Sequence, residues 1–385
     1  MSYSFILAPD SFKESLSAKD VCQAMALGIR QVFPDANIIH APMADGGEGS
    51  TEAVVDATDG QLVSHIVQGP LGESVDGLIG LHGNGRSAFI EMASASGLHL
   101  VLSDQRNPLY TSTYGTGELI VECLEHGIRD IMIGLGGSAT NDGGMGMAQA
   151  LGYRFFNHDG KELNGNGVNL AQVDTIDTSN VHPKLSEVTF TVACDVDNIL
   201  TGHEGASAVF GPQKGATPEM VEQLDQGLAH FASIIERDLG YSVADIPGSG
   251  AAGGLGAGLL AFTNAELKRG IDIIIETTEL NKKLAQADFC FTGEGQMNHQ
   301  TKYGKTPYGV MQLAKKLNPN MTVIAIAGSL SGDVNELYNL GFDGIFSSIP
   351  ELMPLNTLMG DASRNVTRVT EAICRTLKSS QTHIR

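Results

Sequence analysis

Carboxylates and lysines recur beside glycine clusters at the predicted ends of strands. Hard oxygen ligands with a few lysines suit Mg²⁺ and phosphate, since Mg²⁺ prefers oxygen ligands that it shares with substrate phosphates. In open α/β sheets such loops gather at the carboxyl edge, where ligands bind. The residue types of a phosphate and metal site therefore stand at several strand ends: Asp10 with Lys13, Asp45 with Glu48, Asn141 with Asp142, and Glu294 with Lys302 and Lys305.

The densest glycine cluster is GLGGSATNDGGMG (134–146), which holds six glycines in thirteen residues directly after an apolar run. Ordering glycine costs more backbone entropy than ordering any other residue, so such a cluster needs a reason. One reason is a tight turn, and the other is a cradle of backbone N–H groups around an anion. A second segment, PGSGAAGGLGAG (247–258), raises the same two possibilities.

Neither of two common nucleotide-binding motifs is complete. GLGGSA (134–139) matches G-x-G-x-x-A, but the acidic residue expected about twenty positions further on should close a second strand. Asp159 stands there within NHDGKE, which is typical of a turn. The sequence Gly304–Thr306 lacks the first glycine of a P-loop, because His299 occupies that position. A nicotinamide site and a P-loop are therefore disfavoured, and phosphate binding would use another glycine-rich geometry.

Strand and helix patterns alternate at both ends of the chain. Short apolar runs at Phe5–Ala8 and 37–43 predict strands, and Ser17 with Asp20 is typical of the start of a helix between them. From about residue 286 the same alternation returns. This pattern predicts a parallel α/β sheet to which both chain ends contribute.

The middle of the chain has a different pattern. Leu78–Glu91 predicts a hairpin around His82–Gly85, and a hairpin implies a mixed sheet. We therefore predict one α/β domain from residues 1–70 and 286–385, with residues 71–285 inserted as a second α/β domain that contains a mixed sheet.

The composition excludes several classes of partner. A net charge of −20 and a pI near 4.8 argue against nucleic acid and anionic membrane. No run of about twenty apolar residues and no basic leader occurs, so neither a membrane span nor a signal peptide is expected. Five widely spaced cysteines fit free thiols in a reducing compartment. We expect a cytoplasmic protein.

Nine motifs follow one another along nearly the whole chain: APDSFKES (8–15), ADGGEGS (44–50), GTGELI (115–120), GLGGSATNDGG (134–144), ACDV (193–196), FGPQKGA (210–216), PGSGAAGGLGAG (247–258), TGEG (292–295) and IAGSL (326–330). In this order they resemble the bacterial glycerate kinase family, type 1. The resemblance implies ATP-dependent phosphorylation of D-glycerate at the 2-hydroxyl, and the carboxylates and lysines at the strand ends suit Mg²⁺ beside the phosphates. It also implies a flavodoxin-like domain paired with a second α/β domain. We expect small-molecule partners only, and a monomer or a homodimer.

Phosphoryl transfer requires in-line positioning and cancellation of charge on the γ-phosphoryl group. Lys13 and Lys214 are the lysines expected on phosphate or on the glycerate carboxylate. Asp45 and Asp195 are expected to hold Mg²⁺ or to orient the glycerate hydroxyl, and Glu294 to contact nucleotide or metal. Lys13, Asp45 and Asp195 are therefore the catalytic candidates.

Backbone groups complete the predicted site. Gly136–Ser138 and Gly250–Gly254 are each expected to open a helix whose N–H groups hold phosphate. Asn141 and Asp142 are either caps of a helix from Met145 or ligands, and Asp142 is a second metal candidate beside Asp195. The substrate- and nucleotide-binding candidates are Asp10, Ser11, Gly46, Gly47, Gly136, Gly137, Ser138, Asn141, Lys214, Gly250, Gly253, Gly254 and Glu294.

One motif departs from the family pattern. Where the family usually continues G-E-G-R-[IL]-D, this chain has Gln296 and Asn298 in place of Arg and Asp. If these positions contact phosphate or Mg²⁺, turnover falls. If they only pair with each other, the joint exchange for amides is harmless, and we favour this second interpretation. A glycerate 3-kinase, a kinase for a related hydroxy acid and a non-catalytic sugar-acid-binding paralogue stay open as alternatives.

Overall fold

The predicted α/β alternation is present in the computed structural model of the chain, which describes residues 3–382. The strands are β1 (Ser4–Leu7), β2 (Asn37–His40), β3 (Gln61–Gln68), β4 (Ser74–Leu81), β5 (Ser87–Glu91), β6 (Asp130–Gly134), β7 (Arg154–Phe156), β8 (Thr175–Asp177), β9 (Thr189–Ala193), β10 (Glu266–Lys268), β11 (Phe289–Met297), β12 (Thr322–Leu330) and β13 (Gly344–Ser347). The helices are α1 (Ala18–Arg30), α2 (Ser50–Ala57), α3 (Ala93–Ser96), α4 (Tyr114–Glu125), α5 (Met145–Ala150), α6 (Ala206–Phe210), α7 (Pro218–Leu239), α8 (Ala251–Thr263), α9 (Gly270–Thr277), α10 (Leu280–Leu284), α11 (Thr306–Leu317), α12 (Asn335–Leu340), α13 (Leu355–Gly360) and α14 (Ala362–Thr382).

The chain divides into two compact units. The terminal unit consists of Met1–Asp45, Glu52–Asp59 and Ile271–Arg385, and the middle unit of Gly46–Thr51 and Gly60–Gly270. The domain division at residues 70 and 286 stays a prediction.

The terminal unit is built on a five-stranded sheet in the order β13-β12-β11-β1-β2. Every neighbouring pair in this sheet is parallel. Numbered within the unit alone, the order is 2-1-3-4-5, which is the flavodoxin-like order of doubly wound sheets. The predicted flavodoxin-like fold is confirmed, and the point where the strand order reverses lies between β1 and β11.

Strand β1 lies inside this sheet because its residues are apolar on both faces. Phe5, Ile6 and Leu7 are fully buried, as expected for a parallel strand that helices cover on both sides. Helices α1 and α14 pack on each other, and α14 also packs on β12. Ser17 begins α1 as predicted, because its Oγ accepts the N–H of Asp20 at 3.1 Å.

The middle unit contains a six-stranded sheet in the order β10-β9-β6-β5-β4-β3. Strands β5, β6, β9 and β10 are parallel, whereas β3, β4 and β5 pair antiparallel. The predicted hairpin joins β4 and β5, so the mixed sheet is confirmed. Strand β3 was not predicted, because it is an edge strand in which Val67 alone is buried and no apolar run marks it.

Two further features bear on the sequence-based expectations. Among residues 3–382, no helix is both long enough and apolar enough to cross a membrane. All five cysteines are unpaired, and four of them are buried. Burial raises the pKa of the Cys22, Cys123 and Cys290 thiols to about 12, which keeps them protonated at neutral pH.

Candidate active-site residues in the two units

Asp10 lies at the point where the strand order of the terminal unit reverses. It follows β1, and its N–H donates to the carbonyl of Gly293 in β11 at 2.8 Å. The carboxylate is 8% exposed. Its Oδ2 accepts the Thr306 hydroxyl at 2.6 Å, and its Oδ1 accepts the N–H of Ser11 at 2.7 Å. In doubly wound folds this position of the sheet is where ligands bind.

The pKa of Asp10 lies near neutral pH. Burial, followed by the neighbouring Asp45 carboxylate, raises the pKa of Asp10 to about 7, and the hydrogen bonds from Thr306 and Ser11 oppose the rise. Because a buried carboxylate next to another negative charge is poorly solvated, it gains from any cation that approaches it. Asp45 itself is half-buried.

Glu294 stands on the neighbouring strand β11 and is also 8% exposed. Its Oε1 accepts the Thr301 hydroxyl at 2.7 Å, and its Oε2 pairs with the Lys305 ammonium at 3.0 Å. Burial raises the pKa of Glu294, while Thr301 and Lys305 oppose the rise and Asp45 adds to it. The predicted residues Asp10, Ser11, Asp45 and Glu294 therefore lie in one electrostatically linked group.

The two amides that depart from the family pattern have separate partners. Gln296 Nε2 donates to the Ser329 hydroxyl on β12 at 3.3 Å. Asn298 Oδ1 accepts the N–H of Gln300 at 2.8 Å and so caps the short 3-10 helix 299–302. That helix carries Thr301, which contacts Glu294. An aspartate at position 298 would accept the same hydrogen bond, so the amide keeps the cap without the charge.

Lys13 is exposed, in the turn that follows β1. Its backbone nitrogen lies 3.5 Å from where a Cβ on Gly295 would stand. Lys13 therefore lies in the segment beside Glu294. Its side chain is exposed and is not part of the buried group formed by Asp10 and Glu294.

In the middle unit, the glycine-rich loop after β6 approaches the segment 46–47 closely. A Cβ on Gly134 would lie 2.4 Å from the Gly46 carbonyl oxygen, and a Cβ on Gly136 would lie 3.3 Å from Gly47 Cα. Gly136 and Gly137 are exposed, whereas Gly46 is buried. Close backbone approach therefore accounts for glycine at position 134.

Lys214 is almost completely buried, at 1% exposure. Its ammonium donates to the Ser138 hydroxyl at 2.7 Å and to the Thr140 carbonyl at 2.6 Å. Burial lowers the pKa of Lys214 to about 7, and the Asp142 carboxylate opposes this change. The lysine predicted from the FGPQKGA motif thus lies beneath the glycine-rich loop and contacts a second predicted residue, Ser138.

Asn141 is fully buried, and its Nδ2 donates to the Ser207 hydroxyl at 3.1 Å. Its Oδ1 and the Thr140 hydroxyl have no hydrogen-bond partner among residues 3–382. An unpaired buried polar atom costs about 1–3 kcal/mol, so two adjacent ones indicate a place where a ligand or a water completes the bonding.

Asp142 is saturated by hydrogen bonds. Its Oδ2 accepts the N–H and the hydroxyl of Thr113, both at 2.8 Å, and the N–H of Gly146 at 3.2 Å. Its Oδ1 accepts the N–H of Gly144 at 3.1 Å. Burial raises the pKa of Asp142, and these bonds oppose the rise. Of the two predicted roles, this geometry favours the cap of α5 over a metal ligand.

The predicted helix openings need a correction. Gly136–Ser138 do not open a helix, because α5 begins only at Met145. Gly250 does precede α8, but Ala252, Gly253 and Gly254 have left-handed dihedral angles, so regular helix begins at Leu255. The prediction that residues 136–138 hold phosphate at a helix N-terminus is therefore wrong. At residues 250–254 the start of the regular helix is displaced to Leu255.

Asp195 follows β9 and is exposed; its Oδ1 accepts the N–H of Gly270 at 3.0 Å. Among residues 3–382, no group of three His, Cys, Asp or Glu side chains is placed to hold a metal ion. Mg²⁺ commonly uses one or two carboxylates plus substrate phosphates, so the carboxylates Asp195, Asp10 and Asp45 still fit such an ion chemically.

Four hydroxyl groups that bond the candidate site residues were not predicted from the sequence. Thr301 and Thr306 bond the buried carboxylates, and Thr113 and Ser207 bond Asp142 and Asn141. The sequence Gly304–Thr306 is a signal for Thr306, although it is incomplete as a P-loop. Thr301 stands seven residues after Glu294, whereas Thr113 and Ser207 lie 29 and 66 residues from their partners, and only the fold brings those pairs together.

The terminal unit has a buried group of carboxylates at the reversal point of its flavodoxin-like sheet. The middle unit has a buried lysine beneath a glycine-rich loop. Such groups are typical of α/β enzymes for small charged molecules. The chain belongs to the glycerate kinase family, whose model matches residues 5–378. This confirms the resemblance carried by the nine sequence motifs, and kinases of this kind use ATP as co-substrate.

Similar proteins cover the chain almost completely. The glycerate kinase of Bacillus subtilis (strain 168) is 49% identical over 377 residues, which is 98% of each chain. The glycerate 2-kinase of Escherichia coli (strain K12) is 47% identical over 372 residues, 97% of each chain. A crystal structure described as that of a "putative glycerate kinase 2" from Salmonella typhimurium LT2 is 49% identical, with a TM-score of 0.92, and covers 99% of this chain and 100% of that one.

Proposed function

We propose that the chain is an ATP-dependent kinase that phosphorylates D-glycerate at the 2-hydroxyl, giving 2-phosphoglycerate and ADP. The observation that carries this proposal is the full-length similarity to a glycerate 2-kinase. In the reaction the 2-hydroxyl oxygen bonds to the γ-phosphorus and the bond from that phosphorus to the ADP oxygen breaks. The hydroxyl proton leaves to a base.

Lys214 supports the binding of an anion in the middle unit. Its ammonium bonds Ser138 and the carbonyl of Thr140, which precedes the buried Asn141, in the loop that also carries the exposed Gly136 and Gly137. A desolvated lysine gains its full charge when an anion binds beside it, because the anion favours the protonated form. The glycerate carboxylate and a phosphoryl group are the two anions that this proposal admits.

Lys13, Asp45 and Asp195 are the proposed catalytic residues. Asp45 and Asp195 would take up the hydroxyl proton or orient the hydroxyl, and Lys13 would offset charge on the transferred phosphoryl group. The remaining proposed binding residues are Asp10, Ser11, Gly46, Gly47, Gly136, Gly137, Asn141, Gly250, Gly253, Gly254 and Glu294.

Mg²⁺ is part of the proposal. It would neutralise charge on the β- and γ-phosphates of ATP. Asp195 is the proposed protein ligand, with Asp142 as a weaker candidate because four hydrogen bonds already engage its oxygens. Asp10 with Asp45 forms a second set of hard oxygen donors whose mutual repulsion a cation would relieve.

A coupled ADP assay over D-glycerate, tartronate and related hydroxy acids tests the function. Glycerate- and Mg²⁺-dependent ADP release is expected. Phosphorus NMR of the product then separates a 2-kinase from a 3-kinase. If ligands raise the melting temperature while no ADP forms with any acceptor, the chain is a binding-only paralogue and the proposal fails.

The compartment, the oligomeric state and the partners of the enzyme are also proposed. We infer a cytoplasmic protein that acts as a monomer or homodimer on small molecules, without nucleic acid or membrane partners. A net charge of −20 supports the part of this inference that concerns nucleic acid and anionic membranes. Light scattering of the purified chain would give its oligomeric state.

A further inference from the structure

Helix α8 opens with three consecutive left-handed residues. The φ and ψ angles are 53° and 38° at Ala252, 69° and 34° at Gly253, and 87° and 3° at Gly254. All three residues are buried. Alanine in this region costs roughly 1–2 kcal/mol relative to a right-handed conformation, so the surrounding contacts must hold the turn.

The contacts that hold this turn come from the glycine-rich loop after β6. The carbonyl of Gly253 accepts the N–H of Gly143 at 3.1 Å. A Cβ on Gly253 would lie 2.0 Å from the Thr140 carbonyl oxygen and 2.6 Å from Asn141 Cα. The two backbones are therefore in direct contact, and residue 253 has no room for a side chain.

The same carbonyl oxygen of Thr140 accepts the Lys214 ammonium at 2.6 Å. Thr140 is thus held on one side by Gly253 and on the other by Lys214. Displacing this carbonyl would move the acceptor of a buried ammonium, and it would also move Asn141, which is next in the chain.

We propose that the left-handed turn Ala252–Gly254 is a positioning element for the kinase reaction, because it fixes Thr140 and Asn141 and, through Thr140, the Lys214 ammonium. This inference rests on the proposed function, since it takes Lys214 and Asn141 as binding residues. Gly253 and Gly254 are themselves proposed binding residues, and the contacts of Gly253 with Thr140 and Asn141 add a positioning role to that binding role.

Gly253→Ala and a matched control, Gly240→Ala, test the inference. Gly240 ends α7 with a φ of +79°, and a Cβ there would meet nothing within 4 Å. Both variants therefore strain the backbone, but only Gly253→Ala pushes on Thr140. Each would be assayed for ADP release with saturating ATP and varied glycerate, well below its own melting temperature.

The expected result is a fall of about 100-fold in kcat/KM for Gly253→Ala, since a displacement of about 1 Å in a catalytic constellation costs this much. Gly240→Ala should stay within about twofold of wild type in both kcat and KM. If the turn serves packing alone, both variants lose melting temperature and keep wild-type kcat and KM, which overturns the inference.

Gly254→Ala gives a second measurement if Gly253→Ala does not fold. Its Cβ would lie 2.9 Å from Gly143 Cα, a milder clash with the same loop, so a smaller loss, still above that of Gly240→Ala, is expected. Activity equal to that of Gly240→Ala would contradict the inference. A wild-type chain that releases no ADP would instead contradict the proposed function itself.

Discussion

The buried ionisable groups of the two units have opposite charge and respond to burial in opposite directions. In the terminal unit burial raises the pKa of Asp10 to about 7, and in the middle unit it lowers the pKa of Lys214 to about 7. Both groups are therefore poised to change ionisation near neutral pH. The terminal unit is suited to gain from a cation and the middle unit from an anion, although the chain as a whole is strongly acidic.

The buried charges also differ in how completely hydrogen bonds satisfy them. Asp142 lies close to Lys214, yet four donors saturate it. Lys214 has two acceptors, and Asn141 Oδ1, on the residue after the acceptor Thr140, has no partner among the described residues. Saturated groups hold the structure, whereas incompletely satisfied ones are where a ligand adds most.

Lys214→Met should cause the largest loss of activity. Methionine keeps most of the side-chain stem but removes the charge that the proposed anion needs, so kcat/KM for glycerate should fall by about 10²- to 10³-fold. The coupled ADP assay measures this. Lys184→Met, at an exposed lysine of the same unit that pairs with Glu125, is the control and should behave as wild type. Equal activity of the two variants would remove Lys214 from the site.

Asp10→Asn tests the terminal unit. The amide still accepts the Thr306 hydroxyl but cannot ionise, so a cation held there would bind more weakly. The Mg²⁺ concentration for half-maximal activity should rise roughly 10- to 100-fold. An Mg²⁺ titration at fixed ATP measures the change. An unchanged titration would leave Asp195 as the sole proposed Mg²⁺ ligand of the two.

The stability of the chain should depend on pH with opposite signs through the two groups. The pKa of Asp10 is raised from 3.8, so the folded state binds more protons than the unfolded state between about pH 4 and 7, and Asp10 makes the protein less stable as pH rises there. The pKa of Lys214 is lowered from 10.5, so the unfolded state binds more protons between about pH 7 and 10.5, and Lys214 makes the protein more stable as pH rises there.

Urea unfolding across this pH range measures both slopes. A pKa change of one unit corresponds to about 1.4 kcal/mol in the free energy of unfolding. Asp10→Asn should flatten the slope below pH 7 only, and Lys214→Met the slope above pH 7 only. If each variant changes the other's range, the assignment of the two titrations is wrong.

The sequence predicts more of the terminal unit than of the middle unit, and the reason is physical. In the terminal unit, apolar strands followed by carboxylates predicted a parallel α/β sheet with Asp10 and Glu294 at its edge, because the parallel alternation is a local pattern. The flavodoxin-like topology was implied by the family resemblance. The sequence already groups Lys305 with Glu294, but Thr306 lies 296 residues from Asp10 along the chain, and no local pattern ties the hydroxyls of Thr301 and Thr306 to a particular carboxylate.

In the middle unit the glycine pattern was ambiguous. Glycine permits a left-handed turn, a close approach and an anion cradle alike. The glycines at 136–138 and 250–254 were predicted to open helices, whereas the structure begins one helix at Met145, as was also predicted, and has close backbone contacts at Gly134 and Gly253. Gly134 meets Gly46, 88 residues earlier, and Gly253 meets Thr140, 113 residues earlier, so tertiary packing decided the conformation.

The smallest effect is expected from restoring the family pattern in the double variant Gln296→Arg, Asn298→Asp. Gln296 bonds Ser329 and Asn298 caps the helix that carries Thr301, so the two amides act separately and aspartate can also cap. The activity should change by less than about threefold, whereas Asn298→Ala should lose about 1 kcal/mol of stability with the cap. The ADP assay and urea unfolding measure these quantities. A tenfold gain in kcat/KM would mean instead that arginine and aspartate contact a ligand.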